Sequence, residues 1–207
     1  MSDEVILYTN PMSRGRIVRW MLEEIGKPYK TEWVTYGPQM KSPDYLAINP
    51  LGKVPAISHK GAVVTETPAI LAYLADAFPE AGLAPALDAR ASYYRWLFFM
   101  AGPMEAAAVN GACGFSVPDE KRGMMGYVDH KGMFDVIEAA IKASPFIAGD
   151  SFSAADIYMA SHLNFQMHML GAEKRAVLVD YAKRMTDRDA FRRASAIDAE
   201  AMEAAKA

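Results

Sequence analysis

The sequence predicts an α/β unit followed by an all-α one, on three observations. A short apolar run (Val5-Ile6-Leu7-Tyr8), a helical stretch (Arg14 to Ile25) and an alternating stretch (Tyr29 to Tyr36) follow one another, an order that implies a right-handed crossover between parallel strands. Two further β runs and a helix to Phe78 complete a βαβ-ββα order. Beyond Pro79–Leu87, which holds Gly82 and Pro85, no stretch reads as a strand. The expected domains are 1–79 and 88–207, with a linker over 80–87.

In order, Val5 to Tyr8 has the apolar character of a buried parallel strand. Thr9-Asn10-Pro11-Met12-Ser13 has turn chemistry. Ile17, Val18, Met21, Leu22 and Ile25 share one helical face. Gly26 is placed to cap that helix, with Pro28 just beyond. Tyr29 to Tyr36 alternates like a strand, and Ser42-Pro43-Asp44 opens a short helical turn. Val54–Ser58 and Ala62–Thr65 form a hairpin around His59-Lys60-Gly61. Thr67 is the expected N-cap of the next helix, with Pro68 in its first turn.

In the second half, Asp88 to Ala108 is helical, with a kink or break at Gly102-Pro103. Gly111 to Val117 reads as a loop, and Asp119 to Ala143 as a helix containing Gly123, Gly126 and Gly132. Ser153-Ala154-Ala155-Asp156 is a capping box with aspartate in the usual place of glutamate, opening a helix to about Leu170. Ala176–Met185 and Asp189–Ala207 close the chain as helices.

A 207-residue chain, 52% hydrophobic and 23% charged, can bury a sizeable core. A net charge of −3 without a basic run argues against nucleic acid as a partner. No run reaches about 18 apolar residues, so no membrane span is expected. The acidic N-terminus does not resemble a signal peptide. The single cysteine, Cys113, excludes an internal disulfide and suits a reducing compartment. The expected localisation is cytoplasmic, and Cys113 is expected to be buried or inert.

Chemistry concentrates in Asn49-Pro50-Leu51-Gly52-Lys53-Val54-Pro55-Ala56-Ile57 and Glu66-Thr67-Pro68-Ala69-Ile70. Pro55 cannot donate to a sheet ladder, so Val54 keeps backbone N–H and C=O groups that a ligand can use. The helix start at Thr67 offers open N–H groups, a ready anion site. Together they suit a small, acidic, peptide-like ligand.

These two segments, with Phe146-Ile147-Ala148-Gly149-Asp150-Ser151-Phe152-Ser153-Ala154-Ala155-Asp156, resemble the cytosolic glutathione S-transferase family over nearly the whole chain. The resemblance is to serine-type (phi- or theta-like) members and points to a bacterial source. It implies a thioredoxin-like N-terminal domain with a cis Val54–Pro55 bond, a helical C-terminal domain, and a homodimer. It implies glutathione as co-substrate, a small hydrophobic electrophile as second substrate, and no metal. Val54 would meet the cysteinyl backbone, Thr67 the γ-glutamyl carboxylate and Glu66 the γ-glutamyl amine. Lys53 and Lys41 would face carboxylates of glutathione.

The expected reaction is attack of the glutathione thiolate on the electrophile. A free thiol titrates near about pH 8.5, and each unit of lowering needs about 1.36 kcal/mol of preferential anion stabilisation. Ser13, in a Met-Ser pair like that of phi-class enzymes, is the first candidate to supply it. Tyr8, Thr9 and Asn10 are the rivals; Thr9 and Asn10 would suit a glutathione-dependent disulfide reductase or peroxidase. A non-catalytic binding protein on the same fold is the third possibility. No cysteine lies in this loop, which argues against mixed-disulfide chemistry there. Met12, Phe99, Met104 and Phe115 are candidates for the hydrophobic site, beside Trp96 and Met100 on the same helix. His162 and His168 are poorly spaced for a metal pair, and no metal is expected. Asp156 is assigned to folding.

Overall fold

The computed structural model describes residues 4–206. They divide into two compact units: residues up to Gly82 together with those from Asp187 onward, and Leu83–Thr186.

The first unit is built on a four-stranded sheet of order β2-β1-β3-β4. Strand β1 (Val5–Thr9) runs parallel to β2 (Tyr29–Trp33) and antiparallel to β3 (Ala56–His59), which pairs antiparallel with β4 (Ala62–Thr65). Val5, Leu7 and Thr9 are buried on one face of β1, while Ile6 and Tyr8 alternate on the other. Between β1 and β2, helix α1 (Gly15–Ile25) buries Ile17, Val18, Met21 and Leu22. It ends as the sequence predicts: Gly26 is left-handed (φ 70°) and its N–H donates to Leu22 O.

β2 is shorter than the alternation suggests. Val34 N–H still reaches Thr9 O at 2.8 Å, but Gln39 Oε1 captures the Thr35 N–H at 2.7 Å and turns the chain away. Helix α2 (Pro43–Leu46) is capped by Ser42, whose side chain accepts from Tyr45 N. β3 begins at Ala56 because Pro55, in a cis bond with Val54, has no N–H to pair. Helix α3 (Thr67–Ala77) starts one residue earlier than expected: Thr67 is the first helical residue, and the N-cap is Glu66, at φ 67°. Helix α9 (Asp189–Ala204), expected within the all-α stretch, packs with this unit. Phe191 meets Trp20 edge-on at 4.9 Å, and the Asp198 carboxylate accepts from Arg19 Nε at 2.8 Å, both side chains buried.

The second unit is helical. Helix α4 (Ala91–Phe99) passes through a π-helical segment, Met100–Met104, into α5 (Glu105–Ala112). Pro103 lies inside that segment, so the chain accommodates the missing N–H by widening its turn rather than by breaking. The helix expected over Asp119–Ala143 is divided. Asp119–Met124 is a 3-10 segment, and α6 (His130–Ala143) starts afresh with the Asp129 carboxylate accepting from Gly132 N at 2.7 Å. Gly123 and Gly126 lie near the division, where glycine weakens a helix.

Helix α7 (Ala154–Met169) is almost wholly buried in its first half, and α8 (Ala176–Thr186) packs on it. Asp156 anchors the α7 start. Its carboxylate accepts from Ser153 N (2.9 Å), Ser153 Oγ (3.0 Å), Ile147 N (2.8 Å) and Tyr181 Oη (2.6 Å).

Candidate functional site

The strongest candidate site lies in the first unit, around the turn that precedes β3. Asn49 N–H donates to Tyr45 O at 2.9 Å, and Asn49 O accepts from Gly52 N at 2.8 Å. Gly52 is left-handed (φ 57°), and a Cβ there would lie 2.4 Å from Met40 O, so the turn requires glycine. Val54 follows outside β3. Its N–H and C=O make no hydrogen bond among the described residues.

The Lys53 carbonyl, by contrast, accepts twice: from Tyr45 Oη at 2.6 Å and from Asn49 Nδ2 at 2.8 Å. The sequence reading missed Tyr45 and Asn49. Asn-Pro-Leu-Gly signals a turn, but the destination of the asparagine side chain is a tertiary fact. Burial pushes the Tyr45 hydroxyl up to about 12, with Tyr8 adding to the effect.

The start of α3 is the second part. Glu66 has φ 67°, a conformation that costs a non-glycine residue about 1–3 kcal/mol and concentrates at functional sites. Glu66 is exposed, while Thr67 beside it is only 5% exposed. Neither side chain has a partner among the described residues, nor do the N–H groups of Thr67 and Ala69. A threonine hydroxyl and two open N–H groups at the positive end of a helix suit a carboxylate, and an exposed carboxylate beside them suits an ammonium.

The two lysines behave differently. Lys41 Nζ donates to Leu51 O at 2.9 Å and Gly52 O at 3.1 Å, so it braces the turn. Lys53 is exposed and carries no partner among the described residues.

The loop from Tyr8 to Ser13 separates its four candidates. Thr9 is fully buried, and its Oγ1 occupies the space where a Gly15 Cβ would stand, 1.8 Å away. Asn10 is engaged at both ends: Nδ2 donates to Val34 O at 3.0 Å and Oδ1 accepts from Met12 N at 3.0 Å. Ser13 is half-buried at the entry to α1, its hydroxyl donating to Asn10 O at 2.7 Å and accepting from Gly15 N at 3.0 Å. Tyr8 lies on the other face of β1, packed with Val54 against the cluster of Val34, Met40 and Tyr45. Its hydroxyl makes no hydrogen bond among the described residues.

The hydrophobic candidates divide. Met12, in the first unit, is 72% exposed. In the second unit, Phe115 is 69% exposed and Phe99 half-buried against Trp96. Met104 is corrected: it is fully buried, as are Met100 and Trp96, and belongs to the core. Cys113 is exposed, so the expectation of a buried thiol does not hold. Among the described residues no group of three or more His, Cys, Asp or Glu is placed to hold a metal ion, and no helix is long and apolar enough to cross a membrane.

Comparison with known proteins gives one answer throughout. The family model for the glutathione S-transferase N-terminal domain matches residues 12–77, and that for the C-terminal domain matches residues 104–189. Glutathione S-transferase F9 of Arabidopsis thaliana is 28% identical over 157 residues, 70% of this chain and 71% of that protein. A glutathione transferase from Methylococcus capsulatus has a TM-score of 0.78 at 27% identity, over 94% of this chain and 98% of that one. A sphingomonad glutathione S-transferase, solved with glutathione, has the same TM-score at 28% identity, over 94% and 98%. With a thioredoxin-like first unit, a helical second unit and both domain models matched in sequence order, this chain belongs to the glutathione S-transferase family.

Proposed function

We propose that the protein is a glutathione transferase that joins the glutathione thiolate to a small hydrophobic electrophile, working as a homodimer in the cytoplasm. The observation that carries this reading is the start of α3. The strained Glu66, the Thr67 hydroxyl, which has no partner among the described residues, and the open N–H groups of Thr67 and Ala69 suit an α-amino acid end. The open backbone of Val54 supplies a peptide-like edge for the cysteinyl part, and Lys53 a free cation for a carboxylate. The sphingomonad relative's glutathione complex supports the same ligand.

In this reading Ser13 stabilises the thiolate. Its hydroxyl turns from the Asn10 carbonyl to the sulfur, exchanging a neutral hydrogen bond for a charge-assisted one, roughly twice as strong. The dipole of α1 adds to it. The protein otherwise contributes positioning and a preformed electrostatic environment. Met12, exposed in the first unit, remains as a contact for the electrophile.

Tyr8 is the second reading for the thiolate contact, because its hydroxyl is unengaged and it packs on the same cluster as Val54. The reductase reading is weaker, since Thr9 is buried against Gly15 and the Asn10 amide is engaged. Ultraviolet absorbance of bound thiolate, with turnover of an aryl halide and of a mixed disulfide, tests all of these. Loss of thiolate signal in Ser13→Ala but not Tyr8→Phe supports Ser13, and the reverse assigns Tyr8. Glutathione binding without turnover of either substrate would leave a binding protein.

A further inference from the structure

We infer that Tyr45 and Asn49 are positioning residues for glutathione, aiming the Val54 N–H at the cysteinyl carbonyl. This rests on the reading above that glutathione is the ligand.

The argument is one of peptide geometry. The Lys53 C=O and the Val54 N–H belong to one planar unit. The 53–54 bond is trans, the cis bond among the described residues being Val54–Pro55, so the two groups point in opposite directions. The Lys53 oxygen is held inward by two side-chain donors, Tyr45 Oη at 2.6 Å and Asn49 Nδ2 at 2.8 Å. Two donors match the two lone pairs of a carbonyl, which fixes the tilt of the plane as well as its direction. With the oxygen fixed inward, the Val54 N–H must face outward.

Both donors are themselves held. Tyr45 and Asn49 are 5% and 3% exposed. Asn49 Oδ1 accepts from Leu51 N at 3.1 Å, which orients the amide so that its NH₂ faces Lys53. Asn49 N–H is tied to Tyr45 O, so the two donors move as one piece. Burial keeps the Tyr45 hydroxyl protonated across the working range of pH, and it remains a donor. Lys41 adds a brace on the Leu51 and Gly52 carbonyls from the other side of the turn. The ladder plays no part in orienting Val54, which lies outside β3.

The test is glutathione affinity by titration calorimetry, with steady-state kinetics. Tyr45→Phe keeps the ring and removes one donor. We expect Kd and KM for glutathione to rise about three- to tenfold, the equivalent of one hydrogen bond, while kcat at saturation holds within about twofold. Asn49→Asp keeps the acceptor for Leu51 N–H but sets an oxygen against the Lys53 carbonyl, and should weaken binding further. The decisive readout uses a glutathione analogue with the cysteinyl carbonyl reduced to a methylene. Wild type and Tyr45→Phe should bind it equally, because the contact at issue is gone. An unchanged Kd for glutathione in Tyr45→Phe, or an equal loss for glutathione and the analogue, overturns the inference. Failure of the wild type to bind glutathione overturns instead the reading on which it rests.

Discussion

The Ser13 hydroxyl donates to the Asn10 carbonyl at 2.7 Å, so its one proton is engaged within the turn and must swing outward to reach a sulfur. Because Gly15 N–H donates to the Ser13 hydroxyl oxygen at 3.0 Å, removing the hydroxyl has two separable effects. Ser13→Ala should lower kcat/KM near neutral pH about tenfold or more, by loss of a charge-assisted bond. It should also shift the acid limb of the pH–rate profile upward, and reduce stability by about 1 kcal/mol through the lost helix-start contact. Kinetics across pH and urea unfolding measure the two.

Gly15 and Thr9 share one space. A Cβ at Gly15 would lie 1.8 Å from Thr9 Oγ1 and 2.9 Å from its Cβ. Gly15→Ala should therefore destabilise by about 1–3 kcal/mol, the range for overpacking. Adding Thr9→Ala removes the nearer clash and should recover part of the loss. Thermal melts of the single and double variants form a cycle; strict additivity would contradict the shared space.

Arg19 and Asp198 form a buried pair between α1 and α9. Arg19 also donates to Thr31 Oγ1 at 3.0 Å and lies 4.7 Å from the Trp33 ring. Asp198→Ala leaves that guanidinium without its carboxylate, and about 3–5 kcal/mol of stability should be lost. Arg19→Met with Asp198→Leu should recover most of it. Denaturant midpoints of the three variants decide the point.

Asp156 gives stability a pH dependence of definite sign. Burial pushes its carboxyl up, against the downward pull of Tyr181, Ile147 and Ser153. The folded protein then holds this proton more tightly than the unfolded chain. Its contribution is full below the unfolded carboxyl value and declines as pH rises through the raised one. The difference in melting temperature between wild type and Asp156→Asn should narrow as pH increases through that window. Asparagine cannot accept all four hydrogen bonds, so the variant should be less stable by about 1–3 kcal/mol.

Cys113 is exposed and follows α5 directly. A chromogenic disulfide should titrate one thiol per chain without denaturant. Full reaction only after unfolding would contradict the exposure.

Local signals were legible in the sequence. Gly26, the Asp156 box and the hairpin all act within a few residues of themselves. Thr67 has the residue type of a cap but is the first helical residue; the N-cap is Glu66, whose positive φ its residue type does not announce. The break before His130 is not legible in the helical pattern: Gly123 and Gly126 lower helix propensity, but the stop lies in the 3-10 segment and the fresh Asp129 cap. In the site, Val54, Glu66 and Thr67 stood out by motif. Tyr45, Asn49 and the backbone carbonyls that Lys41 meets did not, because a side chain that reaches a backbone carbonyl leaves no periodicity to read. Met104 and Phe115 looked alike as apolar residues, and only packing separates them.

The pairing of α1 with α9 also has a consequence in time. Arg19 and Asp198 are separated by 179 residues. At a synthesis rate of roughly 5–20 residues per second, about 10–40 s pass between them. Throughout that interval the face of α1 that α9 covers is on the nascent chain without its cover. The intervening helical unit is made first in full, so the first unit to begin synthesis is the last to be completed.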